Sequence, residues 1–317
     1  MAAARSWLLV LVFLLLPAAA RADFPDKGDA GAATLRQMKT ADGTRDYLVQ
    51  PIAGNGPFPV VVLLHGGTQD ARQIWRQTSL PTLGRSEHFI VAAPDGIDRH
   101  WNDGRGSTIA GDAPSSADDI GFISSVIADV IARDHGDRNA VFIAGPSNGG
   151  FMAMHFACTA GRLLRAGANM ISDLPADQAA GCKPGKALPW LSLNGTADPI
   201  VPFEGQPAGT TKRGQVQPAL YSAAETFAFF ADKAGCPRTE TSERLPDLDR
   251  RDGSWVELRR RAPCAGGDQS LFYIVHDGGH ITPGLRVGPL IGRIVGGANQ
   301  DIDTGTVLWN FFRSTLH

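Results

Sequence analysis

The sequence predicts an α/β fold: a single domain with a mostly parallel sheet and helices on both faces. Three observations lead there. Short aliphatic runs bounded by turn residues alternate with stretches of helical spacing, the pattern of parallel strands joined by crossover helices. The run Val141 to Ala144 passes through Gly145-Pro146-Ser147-Asn148-Gly149 into helix-compatible residues from Phe151 to Cys158. Finally, 317 residues at 43% hydrophobic composition are enough to bury one large core.

Residues 1–22 read as an address. Arg5 supplies positive charge, Trp7 to Leu16 is an unbroken apolar run, and Ala20-Arg21-Ala22 fits a small-x-small cleavage site. Residues 23–317 are then the mature domain, expected to be secreted or periplasmic. The apolar run falls short of the roughly 20 residues of a membrane span, so no membrane association is expected after cleavage. A net charge of -2 offers no basic surface for nucleic acid. Cys158, Cys182, Cys236 and Cys264 make an even set, which in an oxidising compartment favours two disulfides. Three connectivities are open. The shortest loops pair Cys158 with Cys182 and Cys236 with Cys264, each worth roughly 3–4 kcal/mol. No C-x-x-C pair argues for metal.

In chain order, Arg45 to Pro51 is a plausible edge strand, and Pro59 to Leu64 is a β-branched run expected at the sheet centre. It leads into His65-Gly66-Gly67-Thr68-Gln69, a turn open enough for main-chain N–H groups to meet a ligand. A helix is expected over Ala71 to Thr78 and a strand over His88 to Ala93. The long polar loop from Ile97 to Ser116 carries Trp101, either a pocket wall or a packed anchor. The helix from Asp118 to Ala132 sets Ile120, Ile123, Ile127, Val130 and Ile131 on one core-facing stripe.

At the strand–turn–helix, Ser147 is expected in a strained conformation, with Gly145 and Gly149 leaving room for strand and helix to meet. The helix N-terminus points free N–H groups at the serine. Functional residues of a parallel sheet lie beyond its carboxyl edge. Ala187 to Asn194 runs into Asp198, and Leu271 to Val275 runs into His280. The order Ser147, Asp198, His280 suits a serine nucleophile, an imidazole that takes its proton and a carboxylate that orients the imidazole. Asp173 is the substitute for Asp198, and His276 the rival of His280. Glycines between His276 and His280 argue against a helical metal pair. The oxyanion donors are expected to be the amides of Gly67 and Asn148, with Thr68 the alternative to Gly67. His155 reads as a packed core histidine. A final helix is expected over Thr306 to Phe312.

These motifs, with Trp101-Asn102-Asp103-Gly104-Arg105, Asn194 to Pro202, Gly278-Gly279-His280 and Asp301-Ile302-Asp303, resemble the secreted polyhydroxybutyrate depolymerase-like esterases. That group of α/β-hydrolases also includes feruloyl esterases. The resemblance implies the α/β-hydrolase fold, a triad of Ser147, Asp198 and His280, oxyanion amides at Gly67 and Asn148, and a bonded pair near Cys236 and Cys264. It implies a serine esterase without metal or cofactor, acting on small or oligomeric esters. Similar proteins usually carry histidine where Asn194 stands and tryptophan where Thr282 stands, departures that leave the triad intact and bear on the substrate; Thr282 and, from the long loop, Trp101 are the candidates for substrate contact. Ile291 to Gln300 has no counterpart in that pattern. With no surface-binding module expected before the end at His317, soluble esters are expected to be better substrates than solid polyester. A serine peptidase, or a silent binding protein of the same fold, are the alternatives.

Overall fold

The structure is a computed structural model that describes residues 33–106, 116–210 and 216–317. The expected signal peptide and part of the 97–116 loop lie outside the described residues. Strands β1 (Thr34–Thr40) and β2 (Gly43–Gln50) form a hairpin, followed by β3 (Phe58–Leu63), α1 (Ala71–Gln77), α2 (Leu80–Glu87) and β4 (Ile90–Pro94). Helix α3 (Asp119–Arg133) precedes β5 (Gly136–Pro146), α4 (Asn148–Ala160), β6 (Ala166–Met170), α5 (Ala176–Gly181) and β7 (Trp190–Gly195). A small ribbon of β8 (Gly209–Thr210) and β9 (Val216–Gln217) stands apart from the main sheet, before α6 (Ala223–Lys233). Strands β10 (Thr241–Arg244), β11 (Trp255–Arg261) and β12 (Ser270–His276), then α7 (Pro289–Val295) and α8 (Thr304–Ser314), complete the chain.

Among the described residues the main sheet has ten strands in the order β1-β2-β4-β3-β5-β6-β7-β12-β11-β10. Every pairing from β4 to β12 is parallel, and both flanks are antiparallel. Side chains alternate across it. Val60, Val62, Val141 and Ile143 pack with Phe122, Ile123 and Val126 of α3. Val61, Leu63, Phe142 and Ala144 pack with Ile74 and Trp75 of α1 and with Leu308 and Phe312 of α8. Burial on both faces is why the central strands read as continuous aliphatic runs.

The flank differs from the sequence expectation. The segment around Arg45 is not an edge, because β1 pairs along it and takes the edge position. The exposed, mostly polar Thr34 to Thr40 gives little pattern to read. Arg45 is itself buried, tied to Asp119 at 2.6 Å and stacked 3.9 Å over the Phe122 ring. Strand β6 also escapes the sequence pattern, since Ala166-Gly167-Ala168-Asn169-Met170 is poor in strand formers. Its small residues answer to a neighbour: a Cβ on Gly167 would come within 2.1 Å of the Trp190 ring. Both expected disulfides are present, Cys158–Cys182 and Cys236–Cys264.

Candidate active site

The carboxyl ends of β3, β5, β6, β7 and β12 bring together the turns that the sequence singled out. Ser147 sits between β5 and α4 with φ 51° and ψ −123°, a region that side-chain-bearing residues rarely occupy. Tight packing holds it there. A Cβ on Gly145 would lie 2.6 Å from the Gly149 carbonyl carbon, and one on Gly149 would lie 2.5 Å from the His65 oxygen. The Ser147 N–H donates to the Met170 carbonyl at 2.9 Å, fixing the turn to β6.

His280 Nε2 lies 3.0 Å from Ser147 Oγ, and His280 Nδ1 lies 2.7 Å from Asp198 Oδ2. The other carboxylate oxygen of Asp198 accepts the N–H groups of Ile200 and Val201 at 2.7 and 2.8 Å. The Asp198 and His280 loops are stitched together, with the Ala197 N–H donating to the Gly278 carbonyl at 2.9 Å. The unassigned stretch Ile291 to Gln300 proves to hold the histidine. It ends α7 and returns alongside the loop, so that the Gly279 N–H donates to Gly297 at 2.8 Å and the His280 N–H to Val295 at 2.5 Å. His276 is turned away, stacked 3.7 Å from Trp255 with Nε2 3.0 Å from Glu257.

Gly67 and Asn148 face one another: a Cβ on Gly67 would be 3.6 Å from the Asn148 Cβ. Asn148 opens α4, so its N–H has no carbonyl one turn back. The Thr68 N–H is committed to the Arg99 carbonyl at 2.9 Å, which leaves Gly67 as the candidate from that turn. The turn is braced by buried His65, whose Nδ1 lies 2.8 Å from the Gly66 carbonyl while its Nε2 accepts the Gly96 N–H at 2.9 Å. Two opposite roles on one ring require the neutral tautomer with its proton on Nδ1. Burial lowers the His65 pKa to about 4.

Sequence reasoning missed the support behind Asn148. Its carboxamide accepts the Trp101 N–H at 2.8 Å and donates to the Asp103 carboxylate at 2.6 Å. Arg105 grips Asp103 through two nitrogens and lies 3.7 Å over the Phe151 ring of α4. Trp101 is the anchor of this loop. It is 2% exposed and its indole N–H donates to the His65 carbonyl at 2.9 Å, so it presents almost no surface to a ligand. Thr282 is half-buried two residues beyond His280. His155 is half-buried rather than a core residue, and burial lowers its pKa. The signal for this support was the run of Asn, Asp and Arg after Trp101; its burial was not readable.

Among the described residues no group of His, Cys, Asp and Glu forms a metal cage, and no helix is long and apolar enough to cross a membrane. No protein-family model matches the sequence. The chain is 27% identical over 289 residues to a Nocardia uniformis subsp. tsuyamanensis protein named "Putative esterase NocK", covering 88% of this chain and 82% of that one. It is 25% identical to feruloyl esterase B of Piromyces equi over 74% of this chain, and spans 42% of that relative's length. The fold is similar to acetyl xylan esterase from Aspergillus awamori, with TM-score 0.51 at 15% identity, over 76% of this chain and 92% of the other.

Proposed function

We propose that this chain, an α/β-hydrolase similar to esterases over most of its length, is a serine carboxylic-ester hydrolase that works through an acyl-enzyme on Ser147. The observation that carries this reading is the continuous chain from Ser147 Oγ through His280 to Asp198, at 3.0 and 2.7 Å, at the N-terminus of α4. With Asp198 accepting the proton of Nδ1, the lone pair of Nε2 faces the serine hydroxyl.

In this mechanism Ser147 Oγ attacks the ester carbonyl carbon while its proton passes to His280 Nε2. The charge formed on the carbonyl oxygen is met by the N–H groups of Gly67 and Asn148, aligned with the positive end of α4. Collapse breaks the ester C–O bond, and the imidazolium returns its proton to the departing alkoxide. Water then attacks the acyl-enzyme and gives its proton to Nε2. The second tetrahedral intermediate releases the acid and restores the Ser147 hydroxyl. Asp198 stays ionised and holds the tautomer throughout.

The substrates we infer are soluble: short-acyl esters, hydroxyalkanoate oligomers or feruloyl-type esters. The names of the relatives support an ester, and Thr282 offers little stacking surface for a large apolar chain. Export is supported by residues 1–22 and by the two disulfides. The test is a fluorophosphonate label followed by paired p-nitrophenyl esters and p-nitroanilides. Stoichiometric labelling at Ser147 with ester turnover is expected. Preferential anilide cleavage points to a peptidase, and no labelling points to a binding protein. Clearing of crystalline polyhydroxybutyrate as fast as p-nitrophenyl butyrate is cleaved rejects the soluble-substrate part.

A further inference from the structure

After β6 the chain turns through Ile171, a β-branched residue held at φ 46°, where such residues rarely sit. The Leu193 carbonyl fixes its N–H at 2.7 Å. This turn carries Ser172 and Asp173 inward to full burial. Asp173 is the carboxylate that the sequence offers as a substitute for Asp198, yet it is not the partner of His280. It meets Asn194 of β7, whose carboxamide nitrogen donates to Asp173 Oδ1 at 3.1 Å and to the Ser172 carbonyl at 3.3 Å.

Two buried atoms of this pair have no partner among the described residues: Asp173 Oδ2 and Asn194 Oδ1. As a carboxylate oxygen and an amide oxygen, both only accept, and neither can satisfy the other. A proton on Asp173 changes this. The acid O–H would then have the amide oxygen of Asn194 as an acceptor, and because the amide N–H already donates to the other acid oxygen, the two bonds together would form a ring.

We infer that Asp173 is a neutral carboxylic acid locked to Asn194 by this ring, so that the Ser147–His280–Asp198 chain lies beside one negative charge rather than two. Its effect on turnover rests on the esterase reading; the protonation itself does not. Burial is the strongest influence, raising the Asp173 pKa well above the usual carboxylate range; the charge of Asp198 acts in the same direction and the Asn194 hydrogen bond opposes both. An ionised carboxylate here would be desolvated with a single neutral donor group to compensate it. The ionisable group acting on Asp173 is Asp198 on the turn after β7, which is itself bonded to His280 on the loop after β12. The other elements present neutral groups: the Thr226 hydroxyl of α6, which accepts the Leu174 N–H at 2.9 Å, and Gly150 of α4 against the Ser172 hydroxyl.

The experiment has two arms. In the pH dependence of kcat/KM, whose acidic limb reports the free His280, Asp173→Asn exchanges one neutral group for another. It should leave the limb within about 0.2 pH unit, whereas Asn194→Asp, which adds a carboxyl to the ring, should raise it by about one unit. A fall of about half a unit or more in Asp173→Asn means that a negative charge was removed and overturns the inference. The second arm needs no activity. Infrared spectra of the wild-type protein near neutral pH should contain a protonated-carboxyl C=O band that is lost in Asp173→Asn and shifted in Asn194→Leu. If Asp173→Asn fails to fold, the Asn194→Leu shift makes the assignment. Absence of the band overturns the inference whether or not the protein hydrolyses esters, and an inactive wild type that keeps the band counts against the esterase reading alone.

Discussion

The carboxamide of Asn148 donates to the carboxylate of Asp103 at 2.6 Å, across 45 residues of sequence. The residue that presents its main-chain N–H at the start of α4 is thereby held through its side chain to the 101–105 loop. The candidate oxyanion hole and that loop form one mechanical unit.

Breaking the unit should cost turnover. Asp103→Ala leaves Arg105 buried without its partner, a loss of about 3–5 kcal/mol in stability, and frees Asn148 to shift. Displacement of one oxyanion donor is expected to lower kcat by about 10²-fold with little change in KM. Kinetics on protein shown to be folded by circular dichroism would check this. A normal kcat in folded Asp103→Ala would separate the loop from catalysis.

The serine and the histidine should act together. Ser147→Ala and His280→Ala are expected to be about equally inactive, with the double variant scarcely worse. A residual acceleration of roughly 10³–10⁴ over water is expected from binding and the oxyanion donors. Asp198→Asn should cost about 10⁴ in turnover by favouring the wrong tautomer. His280→Ala with near-normal turnover would contradict the assignment.

Acid should weaken the fold through His65. Its pKa is held down to about 4 in the folded state, against about 6.5 in an unfolded chain. Between those values the unfolded chain binds a proton that the folded one refuses. Its contribution is therefore complete above about pH 6.5 and lost as pH falls toward 4, about 3 kcal/mol in total. Urea midpoints measured across that range should fall with acidification. His65→Gln should flatten the dependence, and an unchanged slope would remove His65 as the cause.

The disulfides give a separate handle on stability. The loops they close span sequence separations of 24 and 28 residues, and replacing either pair by serine should cost about 3–4 kcal/mol. Tryptic mapping without reduction should recover Cys158 with Cys182 and Cys236 with Cys264 as linked peptides.

The chemical order of the site was legible in the sequence because each part is local. A strand, a glycine-bounded serine and a helix read together from Val141 to Cys158, and Asp198 and His280 each lie on the turn that follows an aliphatic run. Burial on both faces makes those runs continuous, so the parallel core could be read without a contact map. Other features depend on groups far apart in the chain. Strand β1 is polar and gains its place by pairing with β2, and β6 is made of small residues because Trp190 lies over Gly167. The choice of Asp198 over Asp173 was decided by which carboxylate reaches His280 Nδ1, at 2.7 Å. Likewise, Ile291 to Gln300 had no assignment until its carbonyls were found to receive the N–H groups of Gly279 and His280. The sequence determined which residue types could react and in what order, since turns and hydrophobic runs are short-range. Only the tertiary structure decided which of them meet, because hydrogen bonds and close packing act across space.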